Sequence, residues 1–287
     1  MRVLVFGAAG QLGAATASHW ISSGHDVVAL TRQEVDVTSL GAVADAVAAA
    51  RPDLVINCTA YNRVDDAEEQ PSAAFAVNTW AVKHMADALR GCDGVFVHYS
   101  TDFVFDGALG RPYVETDPPN PQSAYGTSKL MGEWFAADVP RHYVLRVESL
   151  FGGAAARSSL DSMLRNMRSG VPVTAFADRT VSPSYVADVA RATWGLVTRA
   201  APAGLYHCVN SGMATWLDVA HHLRAVTGLI NADITGVPAA AVNLRARRPQ
   251  FAAMSNAKLG SVGIPMPTWQ DAVARHIAST QHPAPST

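Results

Sequence analysis

Tyr125, Gly126, Thr127, Ser128 and Lys129 are consecutive, so a phenol and an ammonium group stand four residues apart. On a helix that spacing puts both on one face, one turn from each other. A tyrosine with a pKa of about 10 is a poor acid at neutrality, and a neighbouring positive charge favours its ionised form. Lys129 is therefore expected to lower the Tyr125 pKa and ready the phenol to pass its proton to a substrate oxygen. Upstream, His98, Tyr99, Ser100, Thr101, Asp102 and Phe103 end an apolar run and gather hydroxyls in one place. Thr101 is the expected second hydroxyl, hydrogen-bonded to a substrate carbonyl and steadying the charge that builds on its oxygen. Ser100 is the alternative, and His98 reads as a strand histidine satisfying a buried hydrogen bond.

A ketone needs a hydride as well as a proton, and the means of holding a hydride carrier stand at the start of the sequence. Gly7, Ala8, Ala9, Gly10, Gln11, Leu12 and Gly13 follow an apolar run directly and open a helical pattern. There a dinucleotide pyrophosphate meets free backbone N–H groups and the positive end of a helix dipole. Gly7 permits the tight turn, Gly10 the approach of phosphates, and Gly13 close packing of helix on strand. After the second strand an acid would bind a ribose hydroxyl and an arginine would accept a 2′-phosphate. The chain reads Thr31-Arg32 there, which favours NADPH, while Glu34 and Asp36 keep NADH open.

Parallel strands joined by helices are what would position these groups. Expected strands are 3–6, 27–30, 54–57, 95–99 and 143–147, nearly all apolar as doubly buried strands should be. Expected helices run from Gln11 to Ser23, from the Ser39 cap to Ala50, from Pro71 to about Arg90, and from Tyr125 toward Val139. The stretch 101–123, with its Asp-Gly, Arg-Pro and Pro-Pro-Asn-Pro steps, is expected to be a long functional loop. Beyond about residue 150 the pattern loosens into helices at 158–169, 184–199, 215–227 and 269–280, with short strands near Val173 and Leu205. The fold class predicted is α/β: a Rossmann-type doubly wound parallel sheet over 1–150, a smaller mixed substrate lobe over 151–280 interleaved with it, and a frayed tail over 281–287.

The 287 residues hold 22 Lys+Arg against 24 Asp+Glu, a balance without the broad basic surface that nucleic-acid binding requires. No apolar run approaches the roughly 18 residues of a membrane span, and the apolar opening is short for a signal peptide. A cytoplasmic protein is expected. Cys58, Cys92 and Cys208 are odd in number and far apart, which predicts small buried hydrophobes in a reducing compartment rather than a disulfide or zinc site. Asp65, Asp66, Glu68 and Glu69 read as a solvated helical face rather than a metal site, and Trp216 and Trp269 as core. No metal is expected.

The glycine loop, Thr101, Tyr125 and Lys129 together resemble an extended short-chain dehydrogenase/reductase. Further stretches are similar to the dTDP-4-dehydrorhamnose reductase family over nearly the whole chain: Val64-Asp65-Asp66-Ala67-Glu68, Val77-Asn78, the run from Tyr99 to Phe105, Leu205-Tyr206-His207, Thr215-Trp216, Arg247-Arg248-Pro249 and Pro267-Thr268-Trp269-Gln270. The resemblance implies a nicotinamide cofactor and reduction of the 4-keto group of a nucleotide-linked deoxysugar. It implies that Asp36 and Val37 line the adenine, that Cys58, Thr59 and Ala60 face the cofactor ribose, and that Asn78 braces the helix near the site. Lys129 would hold the nicotinamide ribose, and Asp102, Phe103, Glu148 and Arg248 would contact substrate. Arg245 and Arg247 accompany Arg248 as candidates for a diphosphate, or as a cluster facing solvent or a partner subunit.

One departure stands out. Where the family usually has Arg-Thr-Ser-Trp, this chain has Arg146-Val147-Glu148-Ser149, losing an aromatic ring and gaining a carboxylate. A charged Glu148 would repel a diphosphate, so it is expected to point away, to bind a sugar hydroxyl or amine, or to meet Arg179. Two other functions stand as alternatives: one uses the same Thr101, Tyr125 and Lys129, and the other is a non-catalytic module, against which those three intact residues argue. A nucleotide-sugar epimerase or dehydratase would keep NAD tightly bound, and a binding module would resemble the regulatory subunit of methionine adenosyltransferase. Homodimers are common among such relatives, and nothing in the sequence fixes an interface.

Overall fold

The computed structural model describes residues 1–153 and 156–281. The expected tail lies outside the described residues from 282 onward. The first half alternates as its apolar runs dictate: β1 (Arg2–Phe6), α1 (Gln11–Ser22), β2 (Asp26–Leu30), α2 (Leu40–Ala50), β3 (Leu54–Asn57), α3 (Val64–Glu69), α4 (Pro71–Phe75), α5 (Ala81–Ala88), β4 (Val95–Thr101), α6 (Ala124–Ala137) and β5 (His142–Val147). The second half adds β6 (Leu150–Phe151), α7 (Ser159–Arg168), β7 (Val173–Phe176), β8 (Thr180–Val181), β9 (Ser184–Tyr185), α8 (Val186–Thr198), β10 (Gly204–His207), β11 (Ala214–Thr215), α9 (Trp216–Thr227), β12 (Ile234–Val237), α10 (Ala257–Ser261) and α11 (Trp269–Gln281).

Six parallel strands form the main sheet in the order β10-β5-β4-β3-β1-β2. β3 and β4 are buried at every residue because helices cover both faces. On one face Val3, Val5, Ile56, Val97 and Leu145 pack with Trp20 of α1 and Val189 and Leu196 of α8. On the other, Leu4, Phe6, Val55 and Phe96 pack with Val43 and Val47 of α2 and Met85 of α5. A further core joins Leu160 and Leu164 of α7, Val219 and Leu223 of α9, and Val273 and Ile277 of α11. Trp216 and Trp269 both belong to it.

Several expectations change. The strand around Leu205 is not part of the second lobe; it completes the main sheet, with Leu205 opposite Val144 and His207 opposite Arg146. Its position depends on the long crossover through α8, which local pattern does not encode. The helix expected from Pro71 to Arg90 ends at Ala88 and is interrupted by a π turn over Ala76–Trp80. Cys92 is exposed rather than buried, because it follows the helix end in a surface turn, while Cys208 is buried.

Candidate active site

At the carboxyl edge of the sheet, register places the chemistry. Asn57 ends β3 opposite His98, and Thr101 ends β4 opposite Val147, so Glu148 leaves β5 beside Thr101. The chain after Thr101 makes a 3-10 turn over Asp102–Val104, begun by the Thr101 hydroxyl accepting from Phe103 N at 3.2 Å. α6 then docks against that turn. The Ser123 side chain caps the helix by accepting from Gly126 N at 3.1 Å. A Cβ on Gly126 would lie 2.3 Å from Phe103 O, so only glycine lets the helix approach this closely. Tyr125 consequently meets Phe103 edge to face, with ring centroids 5.4 Å apart.

Thr101, Asp102, Phe103, Tyr125 and Glu148 line one cleft of about 350 Å³, together with Arg179 and Trp216. Burial pushes the Tyr125 phenol up to about 12, the nearby Asp102 carboxylate adds to this, and the Thr101 hydroxyl works against it. The expected lowering by Lys129 is absent. Lys129 sits one turn along α6 but is itself buried; its Nζ donates to Tyr99 O, and desolvation brings its pKa down to about 8, against the pull of Glu133. The spacing predicted the shared helix face correctly, but not that the cost of burying a phenol would exceed the benefit of a cation. Lys129 does not line the catalytic cleft.

Beneath the site, Glu133 takes two hydrogen bonds from Arg146, 2.8 and 2.7 Å, and one from Ser100 at 2.5 Å. Ser100 is thereby engaged. His98 is fully buried, with Nδ1 3.2 Å from Asn57 Nδ2, and burial holds it well below its usual pKa and neutral. Asn78 lies in the π turn, where its side chain accepts from Tyr61 N at 2.8 Å and donates to Tyr61 O and to Ser128 Oγ, both at 3.0 Å. It ties the loop after β3 to α6.

A second cleft, about 830 Å³, is lined by Gly7, Gly10, Thr31, Arg32, Asp36, Val37, Cys58, Thr59 and Ala60. It runs along the carboxyl ends of β1, β2 and β3. Gly7 N and Ala8 N both donate to Leu30 O, at 2.9 and 3.0 Å, folding the glycine loop over β2. Gly7 has a φ of +79°, and a Cβ there would lie 3.0 Å from the Cys58 carbonyl. A Cβ on Gly13 would lie 2.2 Å from Gly7 O, so this glycine closes the loop on itself rather than fitting helix to strand as expected. On Gly10 the only close neighbour is Gly7 O at 3.2 Å. Such an open backbone cradle at a helix start suits a dinucleotide. Leu12 and Gly13 are buried beside the cleft, and Gln11 donates to Gly152 O at 2.6 Å. Glu34 turns back to accept from Thr31 N at 2.8 Å and Asp36 accepts from Thr38 N and its hydroxyl, which holds both carboxyls below their usual pKa. Arg32 has no side-chain partner among the described residues.

Sequence reasoning passed over several lining groups. Ala9, Val35, Thr38, Tyr61, Arg63 and Val77 join the cofactor cleft, and Asn62 lines both clefts. Ser159, Arg179 and Trp216 continue the catalytic cleft into a further pocket of about 480 Å³. Of these, the sequence marked Arg179 only as a partner for Glu148, and Trp216 only as core. Arg248 is not in the catalytic cleft. It lines the further pocket, where its guanidinium makes 3.0 and 2.7 Å bonds to Asp65 and holds that carboxyl at about 2. The acidic face is solvated at Glu68 and Glu69 as expected, and it is also paired: Asp65 with Arg248, Glu69 with Arg245, while Glu68 accepts from Ala124 N at 2.8 Å. No group of three or more metal-ligating side chains occurs among the described residues.

The model of the RmlD substrate binding domain matches residues 1–282. The chain belongs to this family. A dTDP-4-dehydrorhamnose reductase of Burkholderia thailandensis is 37% identical over 95% of this chain and 97% of its own length. The crystal structure of a dTDP-4-dehydrorhamnose reductase from Clostridium acetobutylicum superposes with a TM-score of 0.92 at 28% identity, covering 98% of this chain and 100% of that one. That of the Bacillus anthracis enzyme, in complex with NADP, gives 0.92 at 27% identity over 97% and 99%. These RmlD-family relatives are reductases, and they favour neither the epimerase or dehydratase reading nor the regulatory module. No helix among the described residues is long and apolar enough to cross a membrane.

Proposed function

We propose that this chain is an NADPH-dependent ketoreductase acting on the 4-keto group of a nucleotide-linked deoxysugar, as dTDP-4-dehydrorhamnose reductases do. The observation that carries the reading is the meeting of Thr101 and Tyr125 in one cleft that opens past Asn62 into the glycine-loop cleft. NADPH, when bound, supplies the hydride. Its pyrophosphate would lie on the loop of Gly7, Gly10 and Gly13 and its 2′-phosphate beside Thr31 and Arg32, with Asp36 and Val37 toward the adenine. Thr101 donates to Asp102 Oδ1 at 2.9 Å, so it would hold the ketone oxygen by turning that proton from the carboxylate to the substrate. Tyr125, fully protonated at neutral pH because burial raises its pKa, would give that oxygen its proton. Lys129, one turn along and itself buried, donates to Tyr99 O and so ties α6 to β4 beneath the phenol. The nucleotide end of the substrate would occupy the further pocket, where Arg179 and Arg248 supply positive charge. A cytoplasmic location accompanies this reading, since the cysteines are free.

Tyr125→Phe is the decisive variant. It should bind NADPH with an affinity within about twofold of the parent and lose at least about 100-fold in turnover of dTDP-4-dehydrorhamnose. Undiminished NADPH oxidation would refute the assignment.

A further inference from the structure

The departure at Glu148 has a physical counterpart. The residue is 2% exposed and lines the catalytic cleft with Thr101 and Tyr125. Its Oε2 accepts from Ser182 N at 2.7 Å, whereas Oε1 is buried without any partner. A buried oxygen left unpaired beside a ligand cleft is a group that a ligand can satisfy. The backbone beside it is fixed: Ser149 adopts a φ of +45°, unusual for a residue other than glycine, while its carbonyl accepts from Ser184 N at 3.3 Å. We propose that Glu148 selects the substrate by donating a hydrogen bond from Oε1 to the ring hydroxyl next to the ketone of the keto-sugar.

The inference rests on the reductase reading and deepens it. Burial raises the Glu148 pKa well above the usual carboxyl range, and the Asp102 carboxylate raises it further. Burial therefore favours the protonated form of Glu148, the form that can donate. Because Oε2 receives the Ser182 N–H, the acid's own proton sits on Oε1, which makes that atom a donor. The groups facing it are Asp102, brought up to about 6 by burial, and Arg179, which offsets charge on both carboxyls; Arg248 lies beyond Arg179, and the Tyr125 phenol neighbours Asp102. A neutral Glu148 does not repel a diphosphate. Its place beside Asp102, whose Oδ1 receives the Thr101 hydroxyl at 2.9 Å, brings the donor to the substituent next to the ketone rather than to the nucleotide.

The test compares the parent with Glu148→Gln and Glu148→Ala, with Glu148→Met replacing the alanine variant if that one is unstable. Calorimetry on NADP⁺-loaded protein measures the affinity for dTDP-4-dehydrorhamnose and for its analogue lacking the hydroxyl next to the ketone. Glutamine keeps both an acceptor for Ser182 and a donor, and should bind the natural sugar within about threefold of the parent; alanine should bind it about 10- to 100-fold more weakly. For the analogue, parent and alanine variant should agree within about threefold. Equal binding of both sugars by parent and alanine variant overturns the proposal, as does a glutamine variant as weak as alanine. NADPH oxidation by the parent is the separate arm. A parent that binds the sugar through Glu148 but never turns it over overturns the reductase reading and leaves the binding assignment standing.

Discussion

Desolvation dominates the individual side chains of this site. Tyr125 and Lys129 are both buried, so each is driven toward its neutral form, the phenol up to about 12 and the ammonium down to about 8. The lysine shift has a stability consequence of definite sign. Its folded pKa lies below the unfolded value of about 10.4, so the unfolded chain holds more protons between the two, and the burial cost is relieved as pH rises through 8. Between pH 7.5 and 9, chemical denaturation should show the parent gaining about 1 kcal/mol relative to Lys129→Met. A constant difference across that range would place the lysine in contact with solvent. Arg32 supports a second prediction: Arg32→Ala should raise the Kd for NADPH about tenfold and leave that for NADH within about twofold, as titration of protein fluorescence would measure. Equal losses for both cofactors would make it an ordinary surface charge.

At the scale of elements, two close approaches build the site, and both rest on glycine: Gly126, where α6 meets the turn after β4, and Gly13, where α1 meets the loop after β1. Gly13 admits no Cβ because one would lie 2.2 Å from Gly7 O, a backbone atom that cannot turn aside, whereas at Gly10 the 3.2 Å contact needs only a small shift. Gly13→Ala should therefore lower Tm by several degrees and abolish NADPH binding. Gly10→Ala should keep Tm within about 2 °C and still weaken NADPH, because its methyl group stands where phosphate must come. Similar Tm losses in the two would contradict this division. The π turn is the other device. Asn78 spends its amide on three bonds to Tyr61 and Ser128, so Asn78→Ala should cost about 3 kcal/mol in urea unfolding by leaving the buried Ser128 hydroxyl and the Tyr61 peptide groups short of partners. The apolar period from Pro71 onward revealed a helix, but not the extra residue in its turn, since a π turn leaves no mark on hydrophobic spacing.

Across the whole molecule, the two halves are joined by chain crossings and by charge. Asp65 on α3 holds Arg248 and the Ala246 amide, and Glu69 on the same helix pairs with Arg245. A double-mutant cycle on Asp65→Ala and Arg248→Ala should give a coupling of about 1 kcal/mol at low salt, since the pair is partly exposed, and less at 1 M salt. Zero coupling would free Arg248 for a diphosphate alone. The residues proposed to do chemistry were legible because their spacing is local: the glycine loop sits between strand and helix, Thr101 ends a strand, and Tyr125 and Lys129 share a face at the helical period. Apolar runs marked the five strands from β1 to β5, and the same period the helices between them. Local pattern could not bring Leu205 back to the main sheet, turn Asp65 toward Arg248, or set Arg179 and Ser182 around Glu148. Those contacts join residues from 31 to 183 positions apart, and their strength depends on burial, which is a property of the packed molecule. Burial also reversed the expected pKa of Tyr125, because the energy of a charge depends on what surrounds it in space rather than on what precedes it in the chain.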